Sequence, residues 1–192
     1  QFKSKEKAVD TNYSVVKISA EWAKANLEKK DPYHIRYIGE PKGKILTDGN
    51  TAAALGAIYG GVQFISWYPI TPATSIAEGL MEFLPKLRKE PTSDKNTYAI
   101  IQSEDELAAV GMAIGAGWAG LRSMTSTSGP GLSLMAEYLG LAYFAEIPLV
   151  VWDVQRVGPS TGLPTRTAQG DLTFVNFISH GDTQYIILIP GT

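Results

Sequence analysis

The chain has 192 residues, 44% apolar and 19% charged, and its 17 Lys and Arg against 19 Asp and Glu leave a net charge of −2. That balance excludes a disordered or fibrous chain and gives no basic footprint for nucleic acid or an anionic membrane. Without cysteine the chain cannot build a disulfide framework, a thiolate nucleophile or a cysteine-ligated iron–sulfur cluster, and two histidines, His34 and His180, are too few for a multi-histidine metal site.

Residues 1–43 are rich in Lys and Glu. They predict one amphipathic helix over about 14–30, then a polar stretch through Pro32, Glu40, Pro41 and Gly43. This reads as the end of a preceding segment plus a linker, with a surface helix of the main domain as the alternative. From residue 44 short apolar runs alternate with helical patterns. Asp48 or Asn50 can cap a helix that stops at Gly60-Gly61, and residues 62–68 read as a strand. Ile76, Leu80 and Leu84, at i, i+4 and i+8, mark the next helix. Strands over 97–102, 123–127, 148–154 and 184–189 follow, separated by helices from about Glu104, Pro130 and Ala168. Several strands lack strict alternation, as expected where both faces are covered. The pattern predicts an α/β domain over 44–192, a doubly wound, mainly parallel sheet with helices on both faces. The longest apolar stretch, 139–154, contains Glu146 and Pro148 and is not a membrane span. No signal segment opens the chain, so the expected compartment is the cytoplasm, and a start at Gln1 rather than Met predicts a fragment or processed product.

Some motifs fail on context. Gly115-Ala116-Gly117-Trp118-Ala119-Gly120 matches GxGxxG but begins about ten residues inside a helix, whereas a dinucleotide fingerprint sits in a strand-to-helix turn. With Gly111 it reads as a small-residue stripe for close packing. Gly39 to Lys44 is too short for a P-loop, and no GxSxG elbow surrounds Ser126, Ser128 or Ser133. His180 reads as a turn residue.

Ligands of open parallel sheets bind outside the carboxyl ends of the strands. Four such ends are rich in polar, Gly and Pro residues here. Tyr68-Pro69-Ile70-Thr71-Pro72-Ala73-Thr74-Ser75 leads into a helix N-terminus that suits a carboxylate, or is plain capping by Thr71 or by Ser75 with Glu78. Ser103-Glu104-Asp105-Glu106 is either a capping box or holds Glu106 as a partly buried functional acid. Ser126-Thr127-Ser128-Gly129-Pro130-Gly131 is a hydroxyl-rich turn whose glycines admit a close ligand. Asp153-Val154-Gln155-Arg156 ends in an arginine suited to a carboxylate, followed by a Gly/Pro loop to Thr165. Together they predict one site on one sheet edge.

Tyr68-Pro69-Ile70-Thr71-Pro72, Ser103-Glu104-Asp105-Glu106 with its glycine-spaced helix, and Gln155-Arg156-Val157-Gly158-Pro159-Ser160-Thr161-Gly162-Leu163-Pro164-Thr165 closely resemble the α subunit of 2-oxoacid:ferredoxin oxidoreductases, nearest the 2-oxoglutarate or broad 2-oxoacid branch. The likeness spans about 45–192 and implies the pyrimidine-binding domain of a thiamine diphosphate enzyme. Residues 1–43 then resemble the end and linker of a preceding γ-type domain, and both chain ends resemble truncations. The resemblance implies that Glu106 hydrogen-bonds N1′ of the aminopyrimidine and so activates the cofactor. It puts Pro69 and Thr71 at the cofactor, and Tyr68, Thr71, Arg156 and Thr165 around the 2-oxoacid. The implied reaction is oxidative decarboxylation of a 2-oxoacid to acyl-coenzyme A and CO₂, with electrons passed to ferredoxin. The Gly-Asp-Gly motif that holds Mg²⁺ and the diphosphate in such enzymes is missing, as are cluster cysteines. A β subunit is therefore expected to supply Mg²⁺ and the iron–sulfur cluster, leaving this chain inert alone and with no metal ligands of its own. The rival readings are the same chemistry on pyruvate or on branched-chain or aryl 2-oxoacids, and a non-catalytic carboxylate-binding or assembly module.

Overall fold

Alternating strand and helix signals resolve, in the computed structural model, into four strands and six helices among the described residues, which are 6–39, 43–182 and 185–191. The chain divides into two units, Gln1–Ile45 and Leu46–Thr192. The first contains α1, Glu6–Asn26. It begins earlier than apolar spacing predicts, because its first two turns contain no Gly or Pro to oppose a helix. It ends earlier too: the Asn26 side-chain amide donates back to the Trp22 carbonyl at 2.8 Å, and residues 27–30 are irregular.

The second unit runs α2 (Gly49–Tyr59), β1 (Phe64–Trp67), α3 (Thr74–Leu87), β2 (Ala99–Gln102), α4 (Glu106–Trp118), β3 (Ser123–Thr127), α5 (Gly129–Phe144), β4 (Val150–Asp153) and α6 (Leu172–Phe177). The strands form one parallel sheet in the order β2-β1-β3-β4. Side chains alternate across it. Ile65 and Met124 pack with Ala53, Ala54, Ile58, Ile76, Leu80 and Leu84 of α2 and α3. Val151 instead packs with Val110, Ile114, Met135 and Leu139 of α4 and α5. Helices therefore cover both faces, as the lack of strict alternation in the strands predicts, and β3 is buried at all five residues.

This winding fixes the site. The chain leaves β1 through α3 on one face toward β2, and leaves β3 through α5 on the other face toward β4. Its direction reverses between the adjacent strands β1 and β3, which opens a crevice at their carboxyl ends.

Three local expectations fail. Residues 185–189 form no strand, and Gln184 lies outside the described residues. The last helix starts at Leu172 rather than Ala168, after Gly170 and Asp171. In the glycine stripe Gly111 does admit the Tyr138 ring, 3.3 Å from where a Cβ would stand, but Gly115 faces open space. The tight position is Gly117, where a Cβ would fall 2.8 Å from Ile147 Cγ2 and 2.9 Å from the Pro148 carbonyl. Periodicity cannot tell which glycine of a repeat faces its neighbour. No helix among the described residues is long and apolar enough to cross a membrane.

Candidate active site

Glu106 is the first residue of α4 and is 8% exposed. The Ser103–Glu106 capping box does not form. Asp105 is the N-cap, its carboxylate accepting from the Ala108 N–H at 2.7 Å, which satisfies one of the helix's free first-turn donors. Glu106 is thus released from capping and turned inward. A Cβ on Gly131 would stand 2.1 Å from Thr127 Oγ1, 2.8 Å from Glu106 Cγ and 3.1 Å from Glu106 Oε1. The acid therefore packs on the bare first turn of α5, beside the last residue of β3. Two hydroxyls at these strand ends, Ser103 Oγ and Ser128 Oγ, are buried with no hydrogen-bond partner among the described residues.

The loop after β1 is a tight turn. Thr74 Oγ1 accepts from the Ile70 N–H at 3.0 Å, and the Thr74 N–H donates to the Ile70 carbonyl at 3.0 Å. Neither capping alternative for α3 forms: its N-cap is Ala73, with no side-chain cap. Thr74 spends its hydroxyl on the turn, and Ser75 is engaged by Asn50, whose amide donates to the Pro72 carbonyl at 2.8 Å and to Ser75 Oγ at 2.6 Å. Asn50 is therefore a brace for this loop, and Asp48 is the cap of α2.

Arg156 follows β4 and is 6% exposed. Its Nη1 donates to the Thr71 carbonyl at 3.0 Å, across the crevice. Its backbone N–H donates to Asp171 Oδ2 at 3.2 Å. Among the described residues its buried Nε has no partner, and no carboxylate lies within ion-pairing distance of the guanidinium. A buried cation lacking both an anion and an acceptor for one N–H is costly unless a ligand supplies them.

Of the sequence-predicted residues, the fold joins Arg156 to Thr71 and buries Glu106 at the same sheet edge. Tyr68 is half-buried and Pro69 exposed on the first loop, while the Thr71 side chain is exposed and its carbonyl makes the contact. Thr165 is exposed beside the closure of its loop, where the Val157 N–H donates to the Arg166 carbonyl at 2.7 Å, and it makes no hydrogen bond to Arg156 or Thr71. Sequence reasoning missed Asn50 as a brace, and it missed Asp153 and Asp171. Burial, and then the nearby Asp171 carboxylate, push Asp153 up to about 7. The only signal for Asp171 was an Asp ahead of a short apolar run, an N-cap pattern.

Residues 55–192 match the family described as pyruvate flavodoxin/ferredoxin oxidoreductase, thiamine diphosphate-binding. The chain is 47% identical to 2-oxoacid:ferredoxin oxidoreductase 1, subunit alpha, of Sulfurisphaera tokodaii, over 95% of this chain and 32% of that protein. It is 49% identical to the 2-oxoglutarate synthase subunit KorA of Methanocaldococcus jannaschii, over 75% of this chain and 37% of that protein. A solved 2-oxoglutarate:ferredoxin oxidoreductase from Magnetococcus marinus, with 2-oxoglutarate, coenzyme A and succinyl-CoA bound, superposes with a TM-score of 0.72 at 44% identity, covering 95% of this chain and 30% of that one. The chain thus spans about a third of the length of the relatives it matches.

Proposed function

The chain belongs to the pyruvate flavodoxin/ferredoxin oxidoreductase family, and from that premise we propose that it contributes half of a thiamine diphosphate active site in a 2-oxoacid:ferredoxin oxidoreductase. The single observation that carries the reading is the buried, uncompensated guanidinium of Arg156 at the switch-point crevice. It matches a ligand with a carboxylate. The substrate we favour is 2-oxoglutarate, which the KorA and Magnetococcus marinus names support. The reaction would be oxidative decarboxylation to acyl-coenzyme A and CO₂, with ferredoxin as acceptor.

The residues fit the cofactor. Glu106 offers a buried carboxylate over a glycine cradle that a Cβ would fill. It would hold the aminopyrimidine at N1′, keeping a proton shared at that nitrogen. Thiamine diphosphate, when bound, supplies the nucleophile that attacks the 2-oxo carbon. Thr71 turns its carbonyl to Arg156 Nη1, which leaves Nε free to donate to the substrate carboxylate. Tyr68, Pro69 and Thr165 would line the approach from their loops. Burial of both charged groups keeps water from them and strengthens their hydrogen bonds.

The partners would be a β subunit, which brings Mg²⁺ and the iron–sulfur cluster, together with ferredoxin and coenzyme A. The first unit would be the end of a γ-type domain and its linker, and the compartment the cytoplasm. The test is reconstitution of the full-length parent chain with its β subunit, followed by coenzyme A-dependent reduction of ferredoxin or a viologen dye. The proposal expects turnover with 2-oxoglutarate. Turnover with pyruvate or an aryl 2-oxoacid instead would overturn the substrate, and none with any 2-oxoacid would overturn the enzyme.

A further inference from the structure

We propose that Asp171 is a positioning residue, one that clasps the main chain of Arg156 to the first turn of α5, the turn on which Glu106 also packs. The inference rests on the roles of Arg156 and Glu106 given above.

Asp171 is 7% exposed, and its Oδ2 takes the Arg156 N–H at 3.2 Å. Its carboxylate also lies against the main chain of Gly129, the first residue of α5. A Cβ there would stand 2.1 Å from Oδ1 and 2.7 Å from Oδ2. The N-cap of α5, Ser128, makes no side-chain cap, so the carboxylate stands where the helix end favours an anion. Two residues on, Gly131 is the cradle of Glu106. One helical turn therefore touches both acids, Asp171 at Gly129 and Glu106 at Gly131. A hydrogen-bonded turn does not stretch, so Asp171, bonded to the Arg156 N–H and packed on that turn, holds the arginine main chain in register with the Glu106 cradle. The far end of Arg156 is tied to Thr71. With both ends held, its free Nε is aimed rather than mobile.

The test uses the reconstituted full-length enzyme and compares Asp171→Ala, Asp171→Asn, Gly129→Ala and Arg156→Met. Each is read as KM for 2-oxoglutarate against kcat. Asp171→Ala should raise KM about ten-fold, the worth of one hydrogen bond to a charged group, with a smaller change in kcat. Asn keeps an oxygen for the Arg156 N–H and should restore much of that loss. Gly129→Ala, whose methyl displaces the carboxylate, should reproduce the Ala defect, and the double variant should be no worse than either. A residue that only supports the fold would lower the yield of active enzyme and leave KM alone, and that result overturns the inference. If Asp171→Ala does not assemble, an unchanged KM in both Asp171→Asn and Gly129→Ala overturns it equally. Arg156→Met separates the two readings. An unchanged KM there defeats the carboxylate role of Arg156 itself, whereas a raised KM there with a normal Asp171→Ala defeats only the clasp.

Discussion

The Glu106 and Arg156 corners lie on one sheet edge but are built differently. Glu106 is part of a helix, its backbone fixed by α4 and its neighbour Asp105 doing the capping. Arg156 lies beyond the end of its strand and owes its place to two long-range hydrogen bonds, one to Thr71 and one to Asp171. The difference teaches a division of labour. In the site proposed above, the group that would face the cofactor in one orientation is carried on a rigid element. The group that would meet the substrate is carried on a loop and tethered. Damage at the first corner should therefore appear in kcat, and damage at the second in KM.

Breaking the rigid corner should have the largest effect. Glu106→Gln keeps shape and cap but loses the acid, and kcat should fall by about three orders of magnitude, within the range for a positioned proton-transfer group. Arg156→Met should raise KM for the 2-oxoacid roughly 30- to 100-fold, the worth of a charge-assisted hydrogen bond, with kcat less affected; steady-state kinetics over substrate concentration checks this. Asn50→Ala should loosen the 72–75 turn and cost only a few-fold in KM, since neutral hydrogen bonds contribute about 1 kcal/mol each.

The smallest effect concerns stability. Asp153 titrates higher in the fold than its ordinary value of 3.8, so the native state binds the extra proton. Its stabilising share is complete below about pH 4 and is lost as pH rises toward 7. Asp153→Asn should remove that slope and stabilise the assembly at pH 8 relative to wild type, by on the order of 1 kcal/mol once partial exposure is allowed for. Thermal unfolding at pH 5 and pH 8 measures it, and an equal difference at both values contradicts the assignment.

Much of this was legible in the sequence, for physical reasons. The run Ser123–Thr127, which lacks strict alternation of polar and apolar residues, announced a strand covered on both faces, and Ile76, Leu80 and Leu84 announced the helix that covers one of them. Glu106 and Arg156 were legible because charged residues at strand ends stand out against apolar runs. Cap identity was not. Ser103 and Asp105 are both good N-cap residues, and only the backbone conformation, extended at Asp105, decides between them. The clasp was hidden as well, since 15 residues separate Arg156 from Asp171 and no local pattern signals a contact across a loop. Residues 185–189 look like a strand by β-propensity, yet pairing, which a sequence does not display, is what makes one.

The most direct test sets two neighbours against each other in the reconstituted enzyme: turnover and thiamine diphosphate saturation for Asp105→Ala and Glu106→Gln. Asp105→Ala removes the cap and should cost about 1 kcal/mol of stability while turnover persists. Glu106→Gln should leave stability unchanged, weaken saturation by the cofactor and abolish nearly all turnover. Full activity in Glu106→Gln, with the loss falling on Asp105→Ala instead, would contradict the account by returning Glu106 to a merely structural place at the start of its helix.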